Sequence, residues 1–299
     1  MGSPVRNSSR RLRFADRFDL LRLLGRGAHA RVYAAQDRNF NRLVALKIFA
    51  LLAPSDHISP AGSAAATAEA RSRFDTEAQT AQRLHHPDIV QVLETGNHEG
   101  QAWLSMELVP GSSLQRYTEA PRLLPEPAVL RTGQRIALAL EHAHSQRVVH
   151  RDLKPANVMV DWPSDTLKIV DFGLARTDDA AATRTGLMLG TPQYMAPELL
   201  AGDRPAPRSD YYALGVMLFE LLTARLPFET TNMGELLRRA ARDPAPDLRQ
   251  FKPHTPDDLA ELLAEMLATQ PGQRLADGSR IAGRLRSLRL AWPGGAMSR

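Results

Sequence analysis

Residues 150–158 read HRDLKPANV and bring an acid, a lysine and an asparagine close together in a turn stiffened by Pro155. Asp152 lies two residues before Lys154 and five residues before Asn157. A carboxylate can accept or orient a hydroxyl proton, and a lysine can stabilise the negative charge that develops. An amide oxygen can bind a hard divalent cation. Each residue alone is a turn former, so the prediction of chemistry rests on the set.

A second acidic motif, LKIVDFGLA at 167–175, strengthens this interpretation. Asp171 follows a short apolar strand, and Gly173 behind it permits a sharp rotation of the backbone. Asp171 and Asn157 together offer two oxygen ligands for Mg²⁺, which commonly completes its coordination with water and phosphate oxygens. Two such ligands beside a lysine predict a site for nucleotide phosphates.

The N-terminal part of the chain predicts three antiparallel strands, at 18–27, 30–37 and 42–50, separated by turn residues. Gly25 and Gly27 stand between the first two strands, where backbone amides of a glycine-rich turn can point at phosphate oxygens. Taken alone, however, a glycine pair between two strands is usually just a hairpin.

A lysine interrupts the third of these predicted strands. Strand alternation puts Ala45, Lys47 and Phe49 on one face. The alternatives are an exposed lysine on an edge strand and a lysine held by Glu77 that presents its charge to a phosphate.

The predicted secondary structure is rich in strands in the N-terminal part of the chain and rich in helices beyond residues 107–111. Pro87 disfavours helical geometry at the preceding residue, so we expect the helix over 74–84 to end there. Ser112 and Gln115 have the spacing of a helical capping box. Two strands are predicted at 90–97 and 102–109, and two long helices at 129–145 and 211–222, the second apolar on all sides; residues 53–70 have the composition of a flexible insertion.

The overall composition of the chain excludes several classes of function. The chain has 299 residues, no cysteine and a net charge of +5, with five arginines in residues 1–18 and five in residues 280–299. Because the positive charge lies in two tails, a nucleic-acid groove across the fold is not expected. The longest apolar run is too short for a membrane span of about 20 residues. The histidines lack the spacing of a metal site, and we expect His142 and His144 to be packing or solvent-facing residues.

The motifs GRGAHARV, VALK, Glu77, HRDLKPAN, DFG and APE, in this order, resemble the eukaryotic-type serine/threonine protein kinases, above all their bacterial members. The resemblance covers about residues 18–280. It implies an α+β bilobal kinase fold, with a small β-rich N-lobe carrying one main helix and a larger, mostly helical C-lobe. The expected divisions are a basic tail at 1–17, N-lobe 18–106, hinge 107–111, C-lobe 112–280 and a basic tail at 281–299.

The resemblance also implies a role for each motif residue. Asp152 would be the catalytic base, Lys154 the γ-phosphate contact, and Lys47 a phosphate contact paired with Glu77. Ala30 stands where the family usually has a third glycine, and Met106 would be the gatekeeper beside the adenine edge. The implied nucleotide-binding residues are Gly25, Gly27, Ala30, Val32, Ala45, Lys47, Met106, Glu107 and Val109, with Asn157 and Asp171 as Mg²⁺ ligands.

Regulation and structural anchors follow from the same resemblance. Arg151 precedes the catalytic aspartate, as in kinases whose activation segment is ordered by a phosphothreonine. Thr183 and Thr185 are the expected phosphorylation sites, and Thr191 is expected to bond to the catalytic loop. Two further anchors are expected: an ion pair between Glu198 and Arg274, and Asp210 bonded to the catalytic-loop backbone.

The expected activity is therefore transfer of the ATP γ-phosphate to serine or threonine hydroxyls of proteins in the cytoplasm, with Mg²⁺ or Mn²⁺ and with self-association for trans-autophosphorylation. The main alternative is an ATP-binding pseudokinase or scaffold, since a fold does not guarantee an activity. A small-molecule phosphotransferase can share the aspartate and asparagine spacing, but it lacks the activation segment and the APE element.

Overall fold

The computed structural model describes residues 12–27, 30–49, 74, 76, 78–172, 192–230 and 232–292. The chain divides into two compact units. Unit 1 comprises residues 1–82 and 91–109, and unit 2 comprises residues 83–90 and 110–299.

Unit 1 is built on a six-stranded antiparallel sheet with the strand order β1-β2-β3-β4-β6-β5. The three strands predicted at the N-terminus are confirmed to within one residue, because glycine and the turn at residues 38–41 interrupt otherwise strand-forming sequence. The strands are β1 Arg13–Phe14, β2 Phe18–Arg26, β3 Ala30–Asp37, β4 Arg42–Phe49, β5 Val92–His98 and β6 Gln101–Glu107.

One face of this sheet covers a small core formed by Phe18, Val44, Leu46 and Trp103. Helix α1, described at residues 74, 76 and 78–82, ends before Pro87 as predicted. The ring of Phe74 packs edge-on against Phe49 at 4.9 Å between centroids.

Unit 2 is mainly helical and holds the larger core. Its central helix buries every residue from Ser209 to Leu222, as the all-round apolar sequence predicted. The helices are α2 Glu126–Ser145, α3 Pro197–Leu200, α4 Pro207–Thr223, α5 Met233–Arg242, α6 Asp257–Met266 and α7 Gly278–Ala291. Helix α7 packs along α2, and both contribute buried side chains to the same core.

A small antiparallel sheet in unit 2 joins the segments around HRDLKPANV and LKIVDFGLA. Its strands are β7 Ser112–Ser113, β8 Val158–Asp161 and β9 Thr166–Ile169, in that order. The expected capping box at Ser112 is wrong, because this residue pairs with Val160 in the sheet and only a short 3-10 turn follows. Gln115 instead donates from Nε2 to Oγ1 of Thr118 over 3.0 Å.

Both predicted tails extend into folded structure. Before residue 18, Phe14 is buried and Arg17 forms a two-pronged hydrogen bond with Asp37, both contacts at 2.8 Å, and a further contact with Glu94. The boundary placed before residue 281 falls inside α7. The reason is physical: the helix inserts four apolar side chains into the core of unit 2, namely Ile281, Ala282, Leu285 and Leu288.

Candidate active site

The turn that follows α2 gathers the three polar side chains of HRDLKPANV around one carboxylate. Lys154 Nζ donates to Asp152 Oδ2 at 2.8 Å, and Asn157 Nδ2 donates to the same oxygen at 3.1 Å. Asn157 Nδ2 also donates to the backbone carbonyl of Asp152 at 2.8 Å. The Lys154 ammonium group and the Asn157 amide therefore hold the Asp152 carboxylate on one side.

The backbone of this turn is held in a strained conformation. Arg151 adopts a φ of 71°, a left-handed value that few non-glycine residues take. Asp210, at the start of α4, accepts hydrogen bonds from the backbone amides of His150 at 2.8 Å and Arg151 at 3.0 Å. The expected anchoring of the catalytic loop by Asp210 is confirmed, and it fixes the direction in which Asp152 leaves the backbone.

Asp171 is brought near the turn by the pairing of β8 with β9. The Val170 amide donates to the Asn157 carbonyl at 2.9 Å, directly beyond the pair Val158 and Ile169. Asp171 has a φ of 64°, so the chain turns sharply where its carboxylate emerges. The two oxygen-bearing residues predicted to bind metal therefore lie on adjoining chain segments of unit 2.

This donor set fits a hard divalent cation. Both hydrogen bonds of the Asn157 side chain use its nitrogen, so its amide oxygen is the atom with which it would bind a metal ion. Asp171 adds a carboxylate, and Mg²⁺ in phosphate-transfer sites commonly takes one or two protein oxygens.

In unit 1 the sheet register aligns the residues predicted to contact nucleotide. Val32 lies opposite Lys47, and Ala45 lies opposite Met106, so all four side chains share one face of the sheet. Lys47 is buried in β4, which has β3 on one side and β6 on the other. The alternative of an exposed lysine on an edge strand is therefore wrong.

The glycine-rich turn and the end of β6 complete this part of unit 1. Gly25 pairs with Val32, and the Gly27 amide donates to the Ala30 carbonyl at 2.8 Å, which closes the turn. The Glu107 amide donates to the Gln91 carbonyl at 3.0 Å. The Glu107 amide is therefore bonded within unit 1, and Val109 follows two residues later.

Comparison with known proteins decides the family. Residues 18–282 match the family described as the protein kinase domain. The chain belongs to this family. Its members use ATP and a divalent metal ion and act on protein substrates.

Curated relatives of this kinase domain include bacterial serine/threonine-protein kinases. Serine/threonine-protein kinase PknD of Mycobacterium tuberculosis is 38% identical over 267 residues, which cover 89% of this chain and 38% of PknD. PrkC of Bacillus subtilis is 33% identical over 88% of this chain and 39% of its own length. RqkA of Deinococcus radiodurans, named a DNA damage-responsive kinase, is 36% identical over 90% of this chain and 39% of its own length. The chain thus spans about two-fifths of the length of these relatives.

An ion pair anchors the segment after the activation loop of the kinase domain. Arg274 donates to both carboxylate oxygens of Glu198, at 2.7 and 2.8 Å, and its side chain is fully buried. Burial alone would raise the pKa of Glu198, but the hydrogen bonds from Arg274 and Ser209 outweigh it and lower that pKa. The expected pair is confirmed.

Several residues of the sequence prediction lie outside the described part of the kinase domain. They are Glu77, Gly173, Thr183, Thr185 and Thr191, together with residues 53–70. Their roles stay predictions. In the described part of the chain, no helix combines the length and apolar character needed to cross a bilayer.

Sequence reasoning missed one group of the kinase domain. His144, expected to be a packing or solvent-facing residue, bonds through Nε2 to Asp210 Oδ2 at 2.8 Å and through Nδ1 to the Tyr211 hydroxyl at 3.0 Å. The available signal was the helical spacing of three between Glu141 and His144, which puts both on one face of α2.

Proposed function

We propose that this chain is an active serine/threonine protein kinase that transfers the γ-phosphate of ATP to protein hydroxyls. The observation that carries the proposal is the Asp152 carboxylate, whose Oδ2 accepts hydrogen bonds from both Lys154 and Asn157. A scaffold without activity has no use for this arrangement, and no feature of the described residues favours a pseudokinase.

In unit 2, Asp152 orients the substrate hydroxyl and takes its proton as the oxygen attacks the γ-phosphorus. The bond from that phosphorus to the bridging oxygen breaks, and ADP leaves with the electron pair. Lys154, already bonded to Asp152, stabilises the charge on the transferring phosphoryl group. The lysine in HRDLKPAN also resembles the serine/threonine branch of the family, and we propose serine and threonine as the acceptors for that reason.

In unit 1, Lys47 holds the α and β phosphates, and Glu77 is its proposed partner. Gly25, Gly27 and Ala30 form the turn that covers the phosphates. The adenine is covered by Val32, Ala45 and Met106, with backbone contacts from Glu107 and Val109.

Asn157 and Asp171 would hold the metal, which neutralises phosphate charge when it is bound. We propose Mg²⁺ as the physiological ion, with Mn²⁺ able to replace it, because both accept hard oxygen ligands.

We propose that activity is raised by phosphorylation of Thr183 or Thr185, whose added charge would be met by Arg151, with Thr191 supporting the catalytic loop. One copy of the chain would phosphorylate another. We also propose a cytoplasmic location, where ATP and Mg²⁺ are supplied.

The test is incubation of the purified chain with γ-labelled ATP, alone and with a generic basic protein, at several chain concentrations and with Mg²⁺, Mn²⁺ or chelator. We expect metal-dependent label on serine or threonine, mapped to Thr183 or Thr185 in the chain itself. A rate per chain that rises with chain concentration supports transfer between copies. Unlabelled protein under every condition, despite measurable ATP binding, would refute the activity.

A further inference from the structure

A buried hydrogen-bonded chain runs through unit 2 from the start of α7 to the catalytic loop. The Gly278 amide donates to Glu141 Oε2 at 2.7 Å, and the Tyr211 hydroxyl donates to the same oxygen at 2.8 Å. The Tyr211 hydroxyl lies 3.0 Å from His144 Nδ1, and His144 Nε2 lies 2.8 Å from Asp210 Oδ2. Asp210 in turn accepts hydrogen bonds from the backbone amides of His150 and Arg151 in the catalytic loop. Three helices and the loop are thereby joined.

His144 is the central link of this chain. The tyrosine hydroxyl has a single proton, and it is directed to the carboxylate of Glu141. Burial and the hydrogen bond to Glu141 raise the pKa of Tyr211, so the hydroxyl stays protonated. The same tyrosine oxygen faces His144 Nδ1, while His144 Nε2 faces Asp210. The His144 ring is therefore held at both nitrogens, by Tyr211 on one side and by Asp210 on the other.

We propose that Tyr211 and Glu141 are positioning residues for phosphoryl transfer, which act through the His144 ring on the hydrogen bonds between Asp210 and the catalytic loop. The inference rests on the proposed kinase activity and assigns these two residues a part in it, although neither touches the reacting atoms. They fix the position of the His144 ring, and His144 in turn orients the Asp210 carboxylate.

The packing shows that this chain has little freedom to shift. Tyr211 is fully buried and Asp210 is only 2% exposed. A Cβ placed on Gly278 would lie 2.5 Å from the Ala137 carbonyl and 2.8 Å from the Tyr211 hydroxyl, so only glycine lets α7 approach here. Because Arg151 is held at a positive φ by the same Asp210, a loosened carboxylate would let the loop relax and move Asp152.

The test compares Tyr211→Phe with Tyr212→Phe, a neighbouring buried tyrosine of α4 that is not a member of this chain of contacts. Both keep the aromatic ring. We expect Tyr211→Phe to lower kcat roughly 3- to 30-fold, a range typical of coupling through packed networks, and to leave the KM for ATP within about twofold. Tyr212→Phe should match the parent chain. An equal loss in both variants, or a loss confined to KM, would overturn the proposal.

A second measurement does not depend on activity. Amide exchange at His150 and Arg151 should be faster in Tyr211→Phe than in the parent chain, and Tyr212→Phe should leave it unchanged. Unchanged exchange at both amides in Tyr211→Phe would refute the positioning role. If the parent chain transfers no phosphate, the proposed function fails, and amide exchange alone decides whether the network holds the loop.

Discussion

Lys154 and Asp152 form a hydrogen-bonded ion pair of 2.8 Å across a turn of two residues, and Asn157 shares the same carboxylate oxygen. The two contacts fix the orientation of the carboxylate, because one of its oxygens is held by both side chains. A base that must accept a proton during phosphoryl transfer needs this fixed orientation.

We expect the Asn157 side chain to have two roles. Its nitrogen donates to Asp152, and its oxygen would bind the metal ion. Asn157→Ala removes the donor to Asp152 and the proposed oxygen ligand, so the Mg²⁺ concentration for half-maximal activity should rise at least about tenfold. Activity should be titrated with Mg²⁺ at saturating ATP. Asn97→Ala, at an exposed position of β5, is the control and should leave the titration unchanged. An unaltered Mg²⁺ requirement in Asn157→Ala would remove this residue from the metal site.

The buried ion pair of Glu198 and Arg274 should contribute strongly to the stability of unit 2. Arg274→Ala leaves a carboxylate largely out of water, and we expect the free energy of unfolding to fall by about 3–5 kcal/mol. Chemical denaturation measures this directly. Arg204→Ala, at an exposed position before α4, should change it by less than about 0.5 kcal/mol. Similar values for the two variants would contradict the buried ion pair.

Asp37 should make stability depend on pH in the acid range. The hydrogen bonds from Arg17 lower the pKa of Asp37 below its usual value of 3.8. A depressed carboxyl pKa stabilises the folded chain above that usual value, and this stabilisation is lost as the pH falls through the folded-state pKa. Asp37→Asn should therefore cost about 2–3 kcal/mol at pH 7, with the difference shrinking below about pH 4.

Urea unfolding at a series of pH values tests this dependence. Asp16→Asn, an exposed aspartate of unit 1, provides the matched control and should follow the parent chain throughout. A cost in Asp37→Asn that stays constant from pH 7 to pH 3 would show that the Arg17 pair does not control the titration.

Helix α7 is expected to be a structural part of unit 2. Leu285 is fully buried, whereas Leu290 in the same helix is 67% exposed. Leu285→Ala should lower the free energy of unfolding by about 2–5 kcal/mol, because it leaves a cavity against α2. Leu290→Ala should fall within about 0.5 kcal/mol of the parent chain. Thermal melts of both variants decide whether residues 281–291 are core or tail.

The strands of unit 1 and the two long helices could be predicted because local signals agree with the final fold. Glycine and turn residues bound Phe18–Arg26 and Ala30–Asp37, and α4 is apolar on every side. The motif around Asp152 was predicted as a set, since its short spacing keeps the three side chains together whatever the rest of the chain does.

Other features depend on contacts far apart in sequence. Arginine-rich segments look like solvated tails, yet Arg17 is held by Asp37 and α7 inserts leucines between charged residues. The capping box at Ser112 failed because strand pairing with Val160 competes for the same backbone. The spacing between Glu141 and His144 places both on one helix face, but the contact of His144 with Asp210 spans 66 residues and could not be predicted from it.

Single-turnover transfer of γ-phosphate from ATP by Asp152→Asn, beside Asp161→Asn at the end of β8, tests whether Asp152 is the base. ATP affinity is measured on the same samples. We predict a rate roughly 10²- to 10⁴-fold below the parent chain for Asp152→Asn, with ATP affinity retained, and a rate near that of the parent chain for Asp161→Asn. A transfer rate in Asp152→Asn equal to that of the parent chain would contradict the assignment of Asp152 as the base.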